Sequence, residues 1–199
     1  MHRTYGWEKY LLIENDFLKA KQFADFTEKN FETTSLFFTN QVILLGAEIE
    51  SAFKKICQSN NVDGGNIKQY KEEILKMFPK IMKYTCYIPY TNYLIAPFLD
   101  WVVENNKLKW WTIYTEVKHS VVDERATMFI ALEMLSALQL LLLLIEAKSS
   151  SVPDANGNYS IFLFSNEIPK LLIPNFKTKT IIGDPGVLTA LLIPKEDIC

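Results

Sequence analysis

The chain has 199 residues, 49% of them apolar and 13% aromatic, which is enough to bury one sizeable core and excludes a disordered chain. Its formal charge of −2 offers a phosphate backbone no general attraction, and only Arg3 and Arg125 among the 21 basic residues are arginines, so bidentate phosphate clamps are scarce. Cys57, Cys86 and Cys199 are an odd, widely spaced set without CxxC spacing, which speaks against a disulfide framework or a zinc site and fits a reducing cytoplasm.

Met1 to Lys9 mixes charges with aromatics and lacks the apolar core of a signal peptide. The first helix is expected over Glu14 to Lys29, with Phe17, Ala20, Ala24 and Thr27 on one side. A longer second helix runs to about Gln58, capped by Thr33, Thr34 or Ser35, because a hydroxyl there accepts backbone N–H groups of the first turn. Its apolar residues Phe38, Val42, Leu45, Ile49, Phe53 and Ile56 recur every three or four positions and form a core stripe. Ser59 to Asn66, with Asn60-Asn61 and Gly64-Gly65, has the chemistry of a loop, and a third helix over Ile67 to Phe78 stops at Pro79.

From Lys80 to Pro97 the pattern turns to β-branched and aromatic residues with prolines, which predicts a small hairpin around Pro89 to Asn92. Trp101 to Asn105 reads as a short helical turn, and Lys107 to Lys118 as a helix. Asp123 to Lys148 reads as the longest helix, with Asp123 as N-cap and Glu124 in its first turn. Met128 to Ile145 is long enough to raise the question of a membrane span, which takes about 20 apolar residues. Glu133, Ser136 and Gln139 interrupt it at intervals of three, a narrow polar stripe that fits a central bundle helix better than a lipid-facing one, so no membrane partner is expected.

Ser149 to Gly157 is a break in composition. Residues 1–148 are thus expected to form a helical bundle with a hairpin inserted near 80–97, and 149–199 a linker and tail packed on the bundle or on a partner subunit. In that tail Tyr159 to Phe164 is a strand candidate, whereas Pro169, Pro174, Pro185 and Pro194 argue against long regular elements. The tail's apolar character also makes it a surface for a protein partner. The fold class expected is mainly α, an up-and-down helical bundle with an extended, partly β C-terminal tail.

His119, one of two histidines, is the first candidate for chemistry because its unperturbed pKa lies near neutrality. Beside it, Lys118 could steady an anion, and Arg125 follows across a turn, where it meets His119 or pairs with Glu124 or Asp123. Glu48 lies next to the core stripe of the second helix and, if buried, needs a partner, which makes a Glu48 to His119 contact the sharpest structural expectation. Trp110, Trp111 and Tyr114 have rings that could stack bases, though spacings of three and four on an amphipathic helix point to core packing. No GxGxxG, GxxxxGK[ST], GxSxG or HExxH is present, and no cofactor or metal is expected.

Four strings carry a resemblance: Asn30-Phe31-Glu32-Thr33-Thr34-Ser35, Gly46-Ala47-Glu48-Ile49-Glu50, Pro97-Phe98-Leu99-Asp100-Trp101, and Trp110-Trp111 to Tyr114 with Val117-Lys118-His119. Over Phe31 to Glu146 the chain resembles a group of uncharacterised bacterial proteins related to the HEPN superfamily. The resemblance implies an up-and-down bundle that forms a homodimer; active members are metal-independent ribonucleases of toxin and phage-defence systems, using an arginine several residues before a histidine. His119 matches that histidine, but no arginine precedes it at the required spacing, and Arg125 follows it instead. Two readings follow from the resemblance, and a third from the aromatic residues. One is a dimeric interaction module in a defence or toxin–antitoxin setting; the other is a ribonuclease with His119 as general acid or base and Lys118 or Arg125 as the cation. A third is a single-stranded RNA binder built on the aromatic rings.

Overall fold

Two long helices, α2 (Leu36–Ser59) and α5 (Met128–Ser150), pack along one another and define the axis of the fold. The computed structural model describes residues 5–89, 91, 93–103, 107–119, 124–150, 158–164, 169–175, 177–183 and 186–194. The apolar stripe of α2 is buried from Phe38 to Ile56. Ser35 supplies the cap: its Oγ accepts from the Phe38 N–H at 3.2 Å. At the other end Asn61 takes a left-handed φ of 57°, and the N–H groups of Asn61 and Val62 donate to the carbonyls of Gln58 and Cys57. This closure satisfies the last carbonyls of the helix and explains why the chain turns at the paired asparagines.

Helix α5 begins at Met128, five residues after the expected cap, so Glu124 is not in its first turn; Asp123 itself lies outside the described residues. The cap comes from elsewhere. The Met128 N–H donates to the Thr33 carbonyl at 2.8 Å and the Phe129 N–H to the Phe31 carbonyl at 3.0 Å, while Thr127 Oγ1 accepts from the Ile130 N–H. Backbone distant in sequence thus does the work that an acidic side chain was expected to do. The starts of α2 and α5 are further joined by a bridge between Thr34 and Thr127. Helix α5 is apolar around its whole circumference, and 78% of its most apolar window is buried inside the fold, the signature of a central helix.

Helix α1 spans Tyr5–Ala20, so it starts nine residues before the expected Glu14 and stops well before Lys29. Its buried positions are Trp7, Tyr10, Ile13 and Phe17, while Glu28–Asn30 forms a separate 3-10 turn. Helices α3 (Ile67–Met77) and α4 (Lys109–Val117) flank α2, and α1 lies on α5. Strands β1 (Cys86–Tyr87) and β2 (Leu94–Ile95) form the small antiparallel hairpin, and Leu99–Val102 forms the short helical turn. The fold is therefore mainly α, a helical bundle with a small hairpin and an extended, partly β C-terminal segment, as the sequence pattern implies.

That segment contains more regular structure than its prolines led one to expect. Strands β3 (Asn158–Phe164), β5 (Lys177–Gly183) and β6 (Gly186–Pro194) form an antiparallel sheet in the order β3-β6-β5, and β3 lies against α5. Pro194 ends β6 and so bounds the strand without breaking it, while Pro185 lies outside the described residues. Between β3 and β5 in the chain, β4 (Ile173–Pro174) adds to β1 and extends the hairpin to a sheet of order β2-β1-β4. A buried carboxylate anchors this stretch: Glu14 Oε1 accepts from the N–H groups of Lys170 at 3.0 Å and Leu171 at 2.9 Å and from the Tyr10 hydroxyl at 3.3 Å. Burial raises the Glu14 pKa above the usual carboxyl value, although these donors pull the other way. Gln139, fully buried on α5, donates through Nε2 to the Leu172 carbonyl at 2.9 Å and accepts from the Cys86 thiol at 3.1 Å. Gln139 of the polar stripe thus faces the chain's C-terminal segment and hairpin.

Candidate functional site

Helix α4 is seated by its aromatic residues. Trp110 and Trp111 are buried, with Tyr114 one turn further on; the Trp110 Nε1–H donates to the Pro97 carbonyl at 2.7 Å, and Trp111 packs on Phe53 at 5.5 Å between ring centroids. The start of the helix is held by Asp100, whose Oδ2 accepts the Lys109 N–H at 3.2 Å. With all three rings inside, no face remains for stacking bases.

At the far end the chain turns after Val117, with the His119 N–H donating to the Glu116 carbonyl at 3.3 Å. His119 is exposed, and its imidazole has no hydrogen-bond or ion-pair partner among the described residues. Lys118 is also exposed and lies over the Tyr114 ring at 5.3 Å.

Glu48 does not meet His119. It pairs with Lys9 of α1. The carboxylate that reaches α4 is Glu50, whose Oε2 accepts from the Tyr114 hydroxyl at 3.1 Å while Lys54 sits at 2.8 Å from Oε1. The reason is helical geometry: Glu48 and Glu50 point about 200° apart, and the face of α2 toward α4 is marked by Gly46, four residues before Glu50. A Cβ at Gly46 would overlap the Tyr114 ring, so the two helices touch there. The pairing with Lys54 lowers the Glu50 pKa, and burial together with Glu50 pushes the Tyr114 hydroxyl up to about 12. A glycine and a glutamate four apart were the signal that could have identified the α4-facing side of α2.

Arg125 pairs with Glu116, which brings its guanidinium back to the last turn of α4, while Asp123 lies outside the described residues. Residues 120–123 between His119 and Arg125 lie outside the described residues. Beside this pair runs a groove of about 510 Å³ whose charged lining is Glu32, Glu116 and Glu124 against Lys109 and Arg125. Its balance is acidic.

Behind Lys109 lies a group the sequence reading treated only as a break in an apolar helix. Glu133 of α5 is largely buried near Asp100 and Lys109; desolvation first, and then Asp100, raises its pKa to about 8, against a smaller opposite effect of Lys109. A raised folded-state pKa means that the folded protein holds this proton more tightly than the unfolded chain. The associated stability is complete below about 4.5 and is lost as the pH rises through about 8. Glu133→Gln is therefore expected to melt like the wild type in acid and to be stabilised by about 2 kcal/mol near neutrality. Thermal midpoints across that range test it; parallel curves would refute it.

No family model matches the chain, and no curated protein or solved structure is significantly similar to it.

Proposed function

We propose that this protein is a HEPN-like helical domain acting in the cytoplasm as a homodimeric interaction module without nuclease activity. The Arg125–Glu116 ion pair carries the reading. A metal-independent ribonuclease needs a cation free to meet the scissile phosphate, and the arginine nearest the His119 turn is already neutralised by a carboxylate. The groove beside it holds three carboxylates, Glu32, Glu116 and Glu124, against two cations, Lys109 and Arg125, so a polyanion finds no favourable field there.

One observation favours the nuclease as a second reading: His119 is exposed with an unengaged imidazole, and Lys118 is its neighbour. The two readings separate in one assay. Purified protein is incubated with single-stranded and structured RNA in the presence of a chelator, alongside His119→Ala. The interaction module predicts no cleavage by either. Cleavage by the wild type that His119→Ala reduces by roughly a hundredfold or more, the usual contribution of a general acid or base, would establish the enzyme.

A further inference from the structure

The turn between α2 and α3 carries Asn60, Asn61, Asp63 and Asn66, whose short side chains can in principle close a ring onto the following backbone nitrogen. Two of them are tied down. Asn60 Nδ2 donates to Glu73 Oε2 at 2.9 Å, and Asn66 Oδ1 caps α3 by accepting from the N–H groups of Lys68 and Gln69, each at 3.1 Å. Asn61 is followed by Val62, whose N–H is committed to the Cys57 carbonyl at 2.9 Å and whose branched side chain crowds that nitrogen. Asp63 differs on each count. It is exposed, and its carboxylate has no hydrogen bond or ion pair among the described residues. The next residue is Gly64, whose N–H also has no acceptor among them and whose nitrogen no Cβ shields. The backbone on either side is fixed by the Val62 N–H and by the Gly65 N–H, which donates to Gln69 Oε1 at 3.0 Å.

We infer that Asp63 is a site of covalent modification, at which the folded protein converts spontaneously to an isoaspartyl form through a succinimide with Gly64. The Gly64 nitrogen attacks Asp63 Cγ; the N–Cγ bond forms, and the carboxyl OH leaves with the nitrogen's proton as water. One water then opens the ring. Addition at Cγ restores aspartate, whereas addition at the Asp63 main-chain carbonyl carbon breaks its bond to the Gly64 nitrogen and leaves the chain running through Cβ and Cγ. Nothing is oxidised or reduced, and the water lost in the first step is regained in the second. The product lengthens the backbone by one carbon where there is no room for it. A Cβ built on Gly64 would fall 2.5 Å from Cys57 Sγ and 2.9 Å from the Tyr70 ring, so Gly64 already fills its space. Tyr70 donates its hydroxyl to the Gly64 carbonyl at 3.4 Å and packs on Phe53 and Trp111 at 5.3 and 6.1 Å between ring centroids. Displacing Gly64 therefore loosens Tyr70, and with it the seat of α3 on α2.

The test ages the full chain at physiological temperature, native and unfolded in urea, beside Asp63→Glu and Asp63→Asn, with thermal midpoints of the fresh proteins to show that each variant folds. The tryptic peptide covering residues 56–68 is resolved by chromatography and mass, and isoaspartate is scored by methyl transfer from an isoaspartyl carboxyl methyltransferase. The native wild type is expected to accumulate a second form of this peptide, unchanged in mass, that accepts methyl groups. Asp63→Glu, whose ring would need six members, loses that form, and Asp63→Asn gains it faster, because an amide loses ammonia in place of water. The aged wild type is expected to melt below the fresh protein, and aged Asp63→Glu to melt like its own fresh sample. Isoaspartate that appears only in the unfolded chain, or equally in Asp63→Glu, would overturn the assignment. An aged wild type rich in isoaspartate that melts like the fresh protein would overturn the loosening of Tyr70.

Discussion

Glu14→Ala is expected to destabilise the protein by about 3–5 kcal/mol, because it leaves the Lys170 and Leu171 N–H groups without their acceptor and opens a void beside Tyr10. The loss should be local before it is global. Residues 169–175 are tied down by Glu14, by Gln139 and by the pairing of β4 with β1, and the carboxylate is the one contact that serves two consecutive N–H groups. Limited proteolysis is therefore expected to begin at Lys170 in the variant under conditions in which the wild type resists. Glu14→Gln keeps one acceptor oxygen but adds a buried NH2 group, and its effect should lie between the two. An alanine variant with unchanged urea midpoint and unchanged cleavage would show that the segment is held by other means.

The second large effect is expected at Gly46. In an ordinary helix interior, glycine to alanine stabilises by about 1 kcal/mol. Here the added methyl would occupy the space of the Tyr114 ring, so Gly46→Ala is expected to cost about 3 kcal/mol, since α4 must move and give up the Tyr114–Glu50 hydrogen bond. A double-mutant cycle isolates the cause: in a Tyr114→Ala background the same substitution should be neutral or stabilising. If Gly46→Ala costs the same in both backgrounds, the clash is not the origin of the loss.

What could be read from residue order follows from which contacts are local. The stripe from Phe38 to Ile56, the Ser35 cap and the asparagine turn all involve neighbours in sequence, and these were legible. The start of α5 was not, because its capping carbonyls belong to Phe31 and Thr33, far away in the chain. The start of α1 was missed for a different reason: Trp7, Tyr10 and Ile13 are weak helix formers whose burial, not their propensity, makes them helical. At the site, the aromatic seating of α4 was legible from spacing, whereas the partners of Glu48 and Arg125 were not. A carboxylate's partner depends on which helix lies across from it, and two residues along α2 separate the carboxylate that meets Lys9 from the one that meets Tyr114.

The tie between Glu14 and Leu171 spans 157 residues, and this sets an order of events during synthesis. Helix α1 is made well before the donors for its buried carboxylate, which follow 156 and 157 residues later. Until they arrive, Gln139 of α5 also lacks the Leu172 carbonyl. Local helix pairs form quickly, whereas contacts across such separations form late. Docking of the segment around Leu171 is therefore expected to follow the pairing of α2 with α5. A nascent chain halted before Lys170 exposes apolar surface that invites chaperones or aggregation.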